Sequence, residues 1–370
     1  MKITRIRVAR LEHALDPPFV AAWDPDPRTS FAATLVRVET DEGVTGIGSG
    51  DTMDGFEAFE HVFLGQDPLR IARHVRALET ISFHAARYWP VEAALWDLIG
   101  KATGQPVAVL FGGALEAIPA YASTGERRSP DERADSAVAI RDAGFRAMKI
   151  RIDRRRLSEG LDSIRATRAA VGDSLELMVD LNAGWRMAGD TGPALDVVSA
   201  RRVADELAEL GVVWLEEPLD AADLRGLAAL RSGATIRIAG GEMTRSTPEM
   251  LAALDADALD VYQPDVVLAV GMLRARTIAE LALARNRWFT PHTWTNGVGL
   301  LANLHVAAGV GGGPWLEFPY DPPGWTPERR DFMLAEPLTI DAAGVLPVPA
   351  TPGLGVQLSA AAEAALAGAR

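Results

Sequence analysis

The sequence contains no cysteine, only 6 histidines and no apolar run long enough to cross a bilayer. Without cysteine, disulfides, thiolate zinc sites and thiol catalysis are excluded. Residues 1–8 alternate polar and apolar side chains and lack the apolar centre of a signal peptide, so we expect a cytoplasmic protein without membrane partners. The formal net charge of −13 argues against nucleic acid as a partner.

The first part of the chain reads as strands followed by helices. Residues 34–40 alternate with period two, and the turn at 41–43 leads to a second run at 44–48, which predicts a hairpin. Residues 92–101 have helical spacing, with Asp97 and Lys101 predicted to pair on the outer face of that helix. Strands and helices that do not alternate indicate a separate α+β capping domain, to which we assign residues 1–117.

From residue 118 the pattern changes to short apolar runs, each followed by an amphipathic stretch. The eight runs are 121–123, 147–152, 177–180, 212–215, 236–239, 259–262, 288–290 and 315–318. Eight alternating units over residues 118–347 predict a (β/α)8-type, TIM-like barrel in the α/β class. No glycine-rich G-x-G-x-x-G turn follows a strand, which argues against dinucleotide binding.

Ionisable or amide side chains stand where the predicted barrel strands end. They are Lys149, Arg151, Asp180, Asn182, Glu216, Glu217, Glu242, Asp265, His292 and Glu317. Active sites of such barrels lie at the carboxyl ends of the strands. Charged residues are depleted from strands and costly to bury, so this series indicates a catalytic centre.

Three of these side chains, Asp180, Glu216 and Glu242, come from neighbouring strands and are expected to converge. Hard oxygen ligands without histidine or cysteine suit Mg²⁺. Each carboxylate alone could form a salt bridge, but three at adjacent strand ends favour a metal site.

The order of several motifs resembles the mandelate racemase group of the enolase superfamily over almost the whole chain. They are ALWDLIGK (94–101), LFGG (110–113), MKIR (148–151), VDLN (179–182), WLEEP (214–218), GE (241–242), QPD (263–265), PHT (291–293) and Glu317. The resemblance implies Mg²⁺ bound by the three carboxylates, a His292–Asp265 dyad as base, and Glu317 hydrogen-bonded to the substrate carboxylate. It also implies that residues 348–370 return to complete the capping domain.

Elementary chemistry agrees with these roles. Removing the α-proton of a carboxylate gives an enediolate with two negative charges, which a divalent cation, Lys149 and a protonated Glu317 would stabilise. His292 has an ordinary pKa near ~6.5, which suits proton abstraction at neutral pH. Asp265 would orient its imidazole.

One position departs from the group's usual Lys-x-Lys motif. This chain has Lys149-x-Arg151, and arginine is a poor base because its pKa lies above ~12. Racemisation needs groups on both faces of the α-carbon, whereas dehydration needs one base. We therefore expect a Mg²⁺-dependent dehydratase that converts an acid sugar, an aldonate or aldarate, to a 2-keto-3-deoxy acid, with Arg151 as an electrophile or as a clamp for a second carboxylate.

Three alternatives stay open at this point. They are a racemase or epimerase of a 2-hydroxy or amino acid, a binding paralogue without turnover, and, more remotely, a lactonising enzyme. Lactonising relatives use a lysine where this chain has Asp265.

Substrate selection is expected to come from loops around the site. Residues 16–28 form a candidate lid that carries Trp23 and Arg28, and Asn182, Trp294 and Asn296 are further candidate substrate contacts. Asn296 could instead cap the following helix. The small carboxylic acid would be bound by a homo-oligomer, since relatives of this kind commonly form dimers or octamers.

Overall fold

An antiparallel three-stranded sheet opens the chain in the computed structural model, which describes residues 1–369. Its strands are β1 (Ile3–Phe19), β2 (Arg28–Thr40) and β3 (Thr45–Gly50), and the helices beside it are α1 (Ile71–His84), α2 (Trp89–Thr103) and the short α3 (Val107–Leu110). The β2–β3 hairpin is confirmed. The predicted lid was too long, because β1 stays paired with β2 as far as Phe19 opposite Arg28 and leaves only residues 20–27 as a loop.

Eight short strands, one from each predicted run, form the second sheet. They are β4 (Ala117–Ser123), β5 (Ala147–Arg151), β6 (Glu176–Asp180), β7 (Val212–Glu216), β8 (Arg237–Gly240), β9 (Val261–Tyr262), β10 (Trp288–Phe289) and β11 (Leu316–Pro319). Their order is β10-β9-β8-β7-β6-β5-β4-β11, all parallel, so the last strand pairs with the first. The TIM-like barrel is thereby confirmed.

Helices alternate with these strands and cover the barrel. They are α4 (Pro130–Asp142), α5 (Leu157–Val171), α6 (Val197–Glu209), α7 (Leu224–Gly233), α8 (Thr247–Asp255), α9 (Met272–Leu283) and α10 (Gly297–Val310). Ser129 and Glu132 form a capping box at the start of α4. None of the helices in residues 1–369 is long and apolar enough to cross a bilayer.

The end of the chain returns to the capping domain. It contains α11 (Pro327–Arg330), β12 (Val345–Pro347), which pairs antiparallel with β4, and α12 (Ala360–Gly368). Ala362 and Leu366 of α12 pack against the capping sheet, and the Glu363 carboxylate lies 2.5 Å from the Arg37 guanidinium. The capping domain is thus completed by the tail.

Helix α2 joins the capping domain to the barrel and to the C-terminal tail. The Glu92 carboxylate accepts hydrogen bonds from the backbone N–H of Met272 and Leu273, at the start of α9. Asp97 pairs with Lys101 as predicted, at 2.6 Å. Its predicted outer-face position is wrong, because Asp97 is fully buried and also accepts from the N–H of Ile47 and Leu354.

His305 on α10 forms a similar junction, and its chemistry makes stability depend on pH. Its Nδ1 accepts from the Ala108 N–H at 2.9 Å and its Nε2 lies 3.2 Å from the Leu354 carbonyl oxygen, an arrangement that needs neutral imidazole. Burial lowers the pKa of His305 to about 4.

We expect acidification to remove this stabilisation. Between the folded pKa of about 4 and the unfolded value of 6.5, only the unfolded chain binds the proton, so stability falls as pH falls. The loss from this residue between pH 7 and pH 5 should be about 2 kcal/mol. Denaturant unfolding of wild type and His305→Gln at both values measures it. Glutamine can accept from Ala108 and donate to Leu354, so an equally steep loss in the variant would contradict the assignment.

Candidate active site

The inside of the barrel changes from apolar to charged toward the carboxyl ends of the strands. The apolar layer is buried and consists of Tyr121, Ala147, Met178, Trp214, Ala239 and Val261. Side chains two residues further along a strand point the same way. Lys149, Asp180 and Glu216 therefore stand directly above this layer, and each is fully buried.

The three carboxylates predicted as metal ligands do converge. Ligand oxygens of Asp180, Glu216 and Glu242 lie within 4.8 Å of one another. Within residues 1–369, Asp180 Oδ2 and Glu242 Oε2 are buried without a hydrogen-bond partner. Burial raises the pKa of Glu216, and the negative charge of the neighbouring Asp180 raises it as well. These two effects outweigh the opposing effect of Lys149, so the pKa of Glu216 is about 8. Converging, unsatisfied carboxylate oxygens fit a divalent cation such as Mg²⁺.

Lys149 supplies positive charge at the same point. Its Nζ lies 2.5 Å from a Glu216 oxygen, 2.9 Å from Glu317 Oε1 and 3.4 Å from Asp180 Oδ2. Burial opposes its charge, but these carboxylates hold the pKa of Lys149 well above its ordinary value. Lys149 is therefore a fixed cation.

His292 and Asp265 form the predicted pair. The Nδ1 of His292 lies 3.0 Å from Asp265 Oδ2, and Asp265 Oδ1 accepts from the N–H of Val267 at 2.8 Å. These bonds leave Nε2 of His292 facing the site, 3.6 Å from Glu242 Oε2. Burial opposes protonation, but Glu242 and Glu317 raise the pKa of His292 to about 9. Since Glu242 supplies part of this shift, a cation on Glu242 would lower the pKa of His292 again.

Glu317 differs from the sequence-based expectation of a protonated acid. Its oxygens accept from Ser123 Oγ at 2.6 Å and from the N–H of Thr293 at 2.7 Å. Burial opposes ionisation, but Lys149 and His292 lower the pKa of Glu317 far below its ordinary range. Glu317 is a carboxylate in this structure, because cations surround it.

Arg151 occupies the wall opposite His292, since β5 and β10 lie on different sides of the barrel. Its Nε donates to Asn182 Oδ1 at 3.1 Å and its Nη1 donates to the Thr124 carbonyl oxygen at 2.8 Å. The guanidinium carbon lies 4.5 Å from the Trp23 ring centre and 4.8 Å from that of Trp294. The two indole rings also contact each other, with centres 5.0 Å apart, and together they hold the guanidinium as a cation in a fixed position.

The predicted substrate contacts fall into two groups. Asn182, Trp23 and Trp294 adjoin Arg151. Arg28 pairs with Asp24 at 2.9 Å. The prediction for Asn296 is wrong, because this residue caps α10 with its Oδ1 and donates through Nδ2 to Ser49 Oγ.

Two residues of the site were missed by sequence analysis. Ser123 Oγ accepts from Trp294 Nε1 at 2.7 Å and from Arg151 Nη1 at 3.2 Å, in addition to its bond to Glu317. Trp185 donates through Nε1 to Glu242 Oε1 at 2.6 Å. Ser123 ends the predicted first strand, so its position was a usable signal, whereas Trp185 lies in an irregular loop.

Trp185 is expected to orient a metal ligand. The hydrogen bond holds Oε1 of Glu242, so that Oε2 points toward the other carboxylates. Replacing a residue that orients a metal ligand in this way typically weakens metal binding by about 10–100-fold. Calorimetric titration with Mg²⁺ should therefore give at least about tenfold weaker binding for Trp185→Phe. Trp315→Phe, on the barrel's opposite end, is the control. Equal affinity in wild type and Trp185→Phe would show that the bond does not orient Glu242.

A capped (β/α)8 barrel with a triad of acidic ligands beside a His–Asp pair defines a metal-dependent enzyme class. Comparison with known families identifies it further. Residues 132–362 match the enolase C-terminal domain-like family, and residues 4–112 match the mandelate racemase/muconate lactonizing enzyme N-terminal domain. The chain belongs to the enolase superfamily, in its mandelate racemase/muconate lactonizing enzyme family.

Its relatives catalyse different reactions. The chain is 32% identical to D-galactarolactone cycloisomerase of Agrobacterium fabrum, over 97% of each protein. It is 28% identical to L-talarate/galactarate dehydratase of Salmonella typhimurium, over 79% of this chain and 74% of the relative. A racemase from Streptomyces coelicolor with bound magnesium superposes with a TM-score of 0.81 and 29% identity, covering 96% of this chain and 97% of that one. The family is established, and the reaction must be argued from the site.

Proposed function

We propose that this protein is a Mg²⁺-dependent dehydratase of an acid sugar, an aldonate or aldarate. The observation that supports it is the asymmetry of the two walls: His292 presents a free imidazole nitrogen, whereas Arg151 is hydrogen-bonded and covered by a pair of indoles. Burial opposes the charge on Arg151, but Asp180 and Glu317 raise its pKa. One base and one fixed cation suit elimination better than racemisation.

Proton transfer in this proposal is carried by His292. Its Nε2 takes the α-proton of the substrate, and Asp265 stabilises the resulting imidazolium through Nδ1–H. The electron pair of the broken C–H bond forms a C2–C3 double bond as the hydroxyl on C3 leaves. The imidazolium returns the proton to that hydroxyl, so water is released, and the enol tautomerises to the 2-keto-3-deoxy acid.

Charge on the substrate carboxylate is balanced from three sides. Mg²⁺ held by Asp180, Glu216 and Glu242 would neutralise the negative charge that develops on the carboxylate. Lys149 provides a fixed ammonium beside the same point. Arg151 is placed to donate to oxygens of the substrate, and Trp23 and Trp294 exclude water from that wall.

A substrate screen tests the proposal. Purified protein with Mg²⁺ is incubated with mono- and dicarboxylic sugar acids, and 2-keto acid is detected as its semicarbazone. We expect product from at least one acid sugar and none after EDTA. Proton exchange at the α-carbon without 2-keto acid formation would support a racemase instead, and binding without either reaction would support a non-catalytic paralogue.

A cycloisomerase is the second candidate, favoured by the 32% identity to D-galactarolactone cycloisomerase over 97% of both chains. The first step would be the same, because His292 would again remove the proton next to a carboxylate. The leaving group would be the ring oxygen of a lactone instead of a hydroxyl. Assaying D-galactarolactone beside its open-chain acid separates the two: ring opening of the lactone alone would assign the cycloisomerase.

A further inference from the structure

A cavity of about 560 Å³ lies outside the barrel, on the far side of the strand ends that hold Glu216 and Glu242. Its walls are helices α7 and α8 and the segments that follow β6, β7 and β8. Much of the lining is apolar, including Leu219, Leu227, Met243, Met250 and Leu259. Sites for small molecules typically have volumes of about 300–1,000 Å³ and such a lining.

One buried polar side chain lines this cavity. Glu217 is 4% exposed, and within residues 1–369 its Oε2 is buried with no hydrogen-bond partner. The backbone of Glu217 has φ 44°, in the left-handed region, which turns its carboxyl away from the direction taken by Glu216. Gly184 leaves room for it, because a Cβ there would lie 2.5 Å from Glu217 Oε1. A left-handed backbone is strained for a residue other than glycine, so the rest of the fold holds the carboxyl in this place.

Charge around the cavity favours a cationic partner for Glu217. The cavity lining includes three acidic side chains, Glu217, Asp220 and Glu249, and two basic ones, Arg186 and Arg245, so its formal charge is negative. At the mouth, the guanidinium of Arg186 lies 3.6 Å from the carboxylate of Asp220, which offsets its charge. Glu217 accepts a hydrogen bond whether ionised or neutral, so an ammonium donor satisfies it in both forms.

We propose that this cavity is a second ligand site, separate from the metal centre, for a small primary amine with an apolar body. The ammonium group donates to Glu217 at the deep end, and the apolar body lies between Leu227 and Met250. The ligand would contact Gly240 and Gly241, directly before Glu242.

Calorimetric titration of the Mg²⁺-loaded protein with 3-methylbutylamine tests the site. We expect saturable 1:1 binding with a Kd of about 1 mM, a magnitude reasonable for so small a molecule. The matched probes 3-methylbutan-1-ol and 4-methylpentanoate should bind at least about tenfold more weakly, because they lack the cation or carry the opposite charge.

Two variants locate the binding, and one serves as control. Glu217→Leu should weaken the amine by about tenfold or more through loss of the acceptor. Ala222→Trp, an exposed change at the mouth, should block entry and keeps the test valid if Glu217→Leu does not fold. Glu209→Leu, exposed on α6 and outside the cavity, should leave binding unchanged.

Several results would overturn the proposal. They are no saturable amine binding up to 50 mM (about fifty times the expected Kd), acid or alcohol binding as tight as the amine, or amine affinity unchanged in Ala222→Trp. None of these outcomes depends on turnover, so the proposal stands or fails independently of the dehydratase assignment.

Discussion

Replacing His292 by asparagine should lower kcat/KM for the acid sugar by about 10⁴-fold, the upper range for removing a general base. Asparagine can keep a hydrogen bond to Asp265, so the surrounding network is preserved, but it cannot take a proton at neutral pH. Mg²⁺ affinity should change little, because His292 Nε2 lies 3.6 Å from Glu242 and outside the converging triad. Steady-state kinetics and calorimetric metal titration on the same preparation measure both effects.

Isotope exchange makes this prediction specific. In D₂O, wild type should incorporate deuterium at the α-carbon or in the product, and His292→Asn should do neither. His84→Asn, an exposed histidine of the capping domain, is the matched control and should retain full activity. Exchange within about tenfold of wild type in His292→Asn would place the base elsewhere, since a general base contributes at least about 10²-fold.

A milder variant separates orientation from proton transfer. Asp265→Asn keeps the imidazole but presents an amide to Nδ1, which disfavours the tautomer with Nε2 free. Asp265 is also tied by the backbone N–H of Val267 and Leu268, so the loop after β9 should hold its shape. We expect a fall in kcat of about 10²–10⁴-fold with metal binding retained.

The sequence was sufficient to predict the barrel and the position of its charged layer. Period-two alternation along a strand places residues i and i+2 on one face, so Lys149, Asp180 and Glu216 could be assigned to the mouth from spacing alone. Convergence of carboxylates from β6, β7 and β8 follows from strand order, because parallel neighbours end at the same edge. These inferences need only local pattern and topology.

Contacts between distant segments could not be predicted in this way. Asp97 has the spacing of an outer-face residue, but β3 and the C-terminal tail cover it. Asn296 follows a strand like its neighbours, yet the start of α10 and Ser49 take both of its polar groups. The charge of Glu317 also depends on this packing, because Lys149 and His292 come from other strands.

Arg151 illustrates how packing changes the meaning of a residue type. From the sequence, Arg151 could be described only as a poor base, with the roles of electrophile and carboxylate clamp both open. The structure adds Trp23 from the loop between β1 and β2 and Trp294 from the segment after β10, which contact each other and the guanidinium. The loop of the capping domain is thereby attached to the wall of the barrel site. Loss of Trp23 would remove this contact and leave both the loop and the Arg151 side chain less restrained.

Replacing Lys149 by methionine should destabilise the metal-free protein by about 3–5 kcal/mol, the usual consequence of removing one partner from a buried ion network. Three carboxylates, Asp180, Glu216 and Glu317, lie within 3.4 Å of its ammonium and would lose this neighbouring charge. At pH 8 the stability regained on adding Mg²⁺ should be larger in the variant than in wild type, because the ion replaces part of the missing charge and binding to the folded state alone stabilises it. Turnover should still fall by about 10²–10³-fold even with saturating Mg²⁺, since the substrate carboxylate loses a fixed donor.

Denaturant unfolding with and without Mg²⁺ measures the loss of stability and its recovery on metal binding, with Lys2→Met, an exposed lysine, as the control. A loss below about 1 kcal/mol in Lys149→Met would mean that the carboxylates take up protons at little cost, and that Lys149 contributes to turnover rather than to folding.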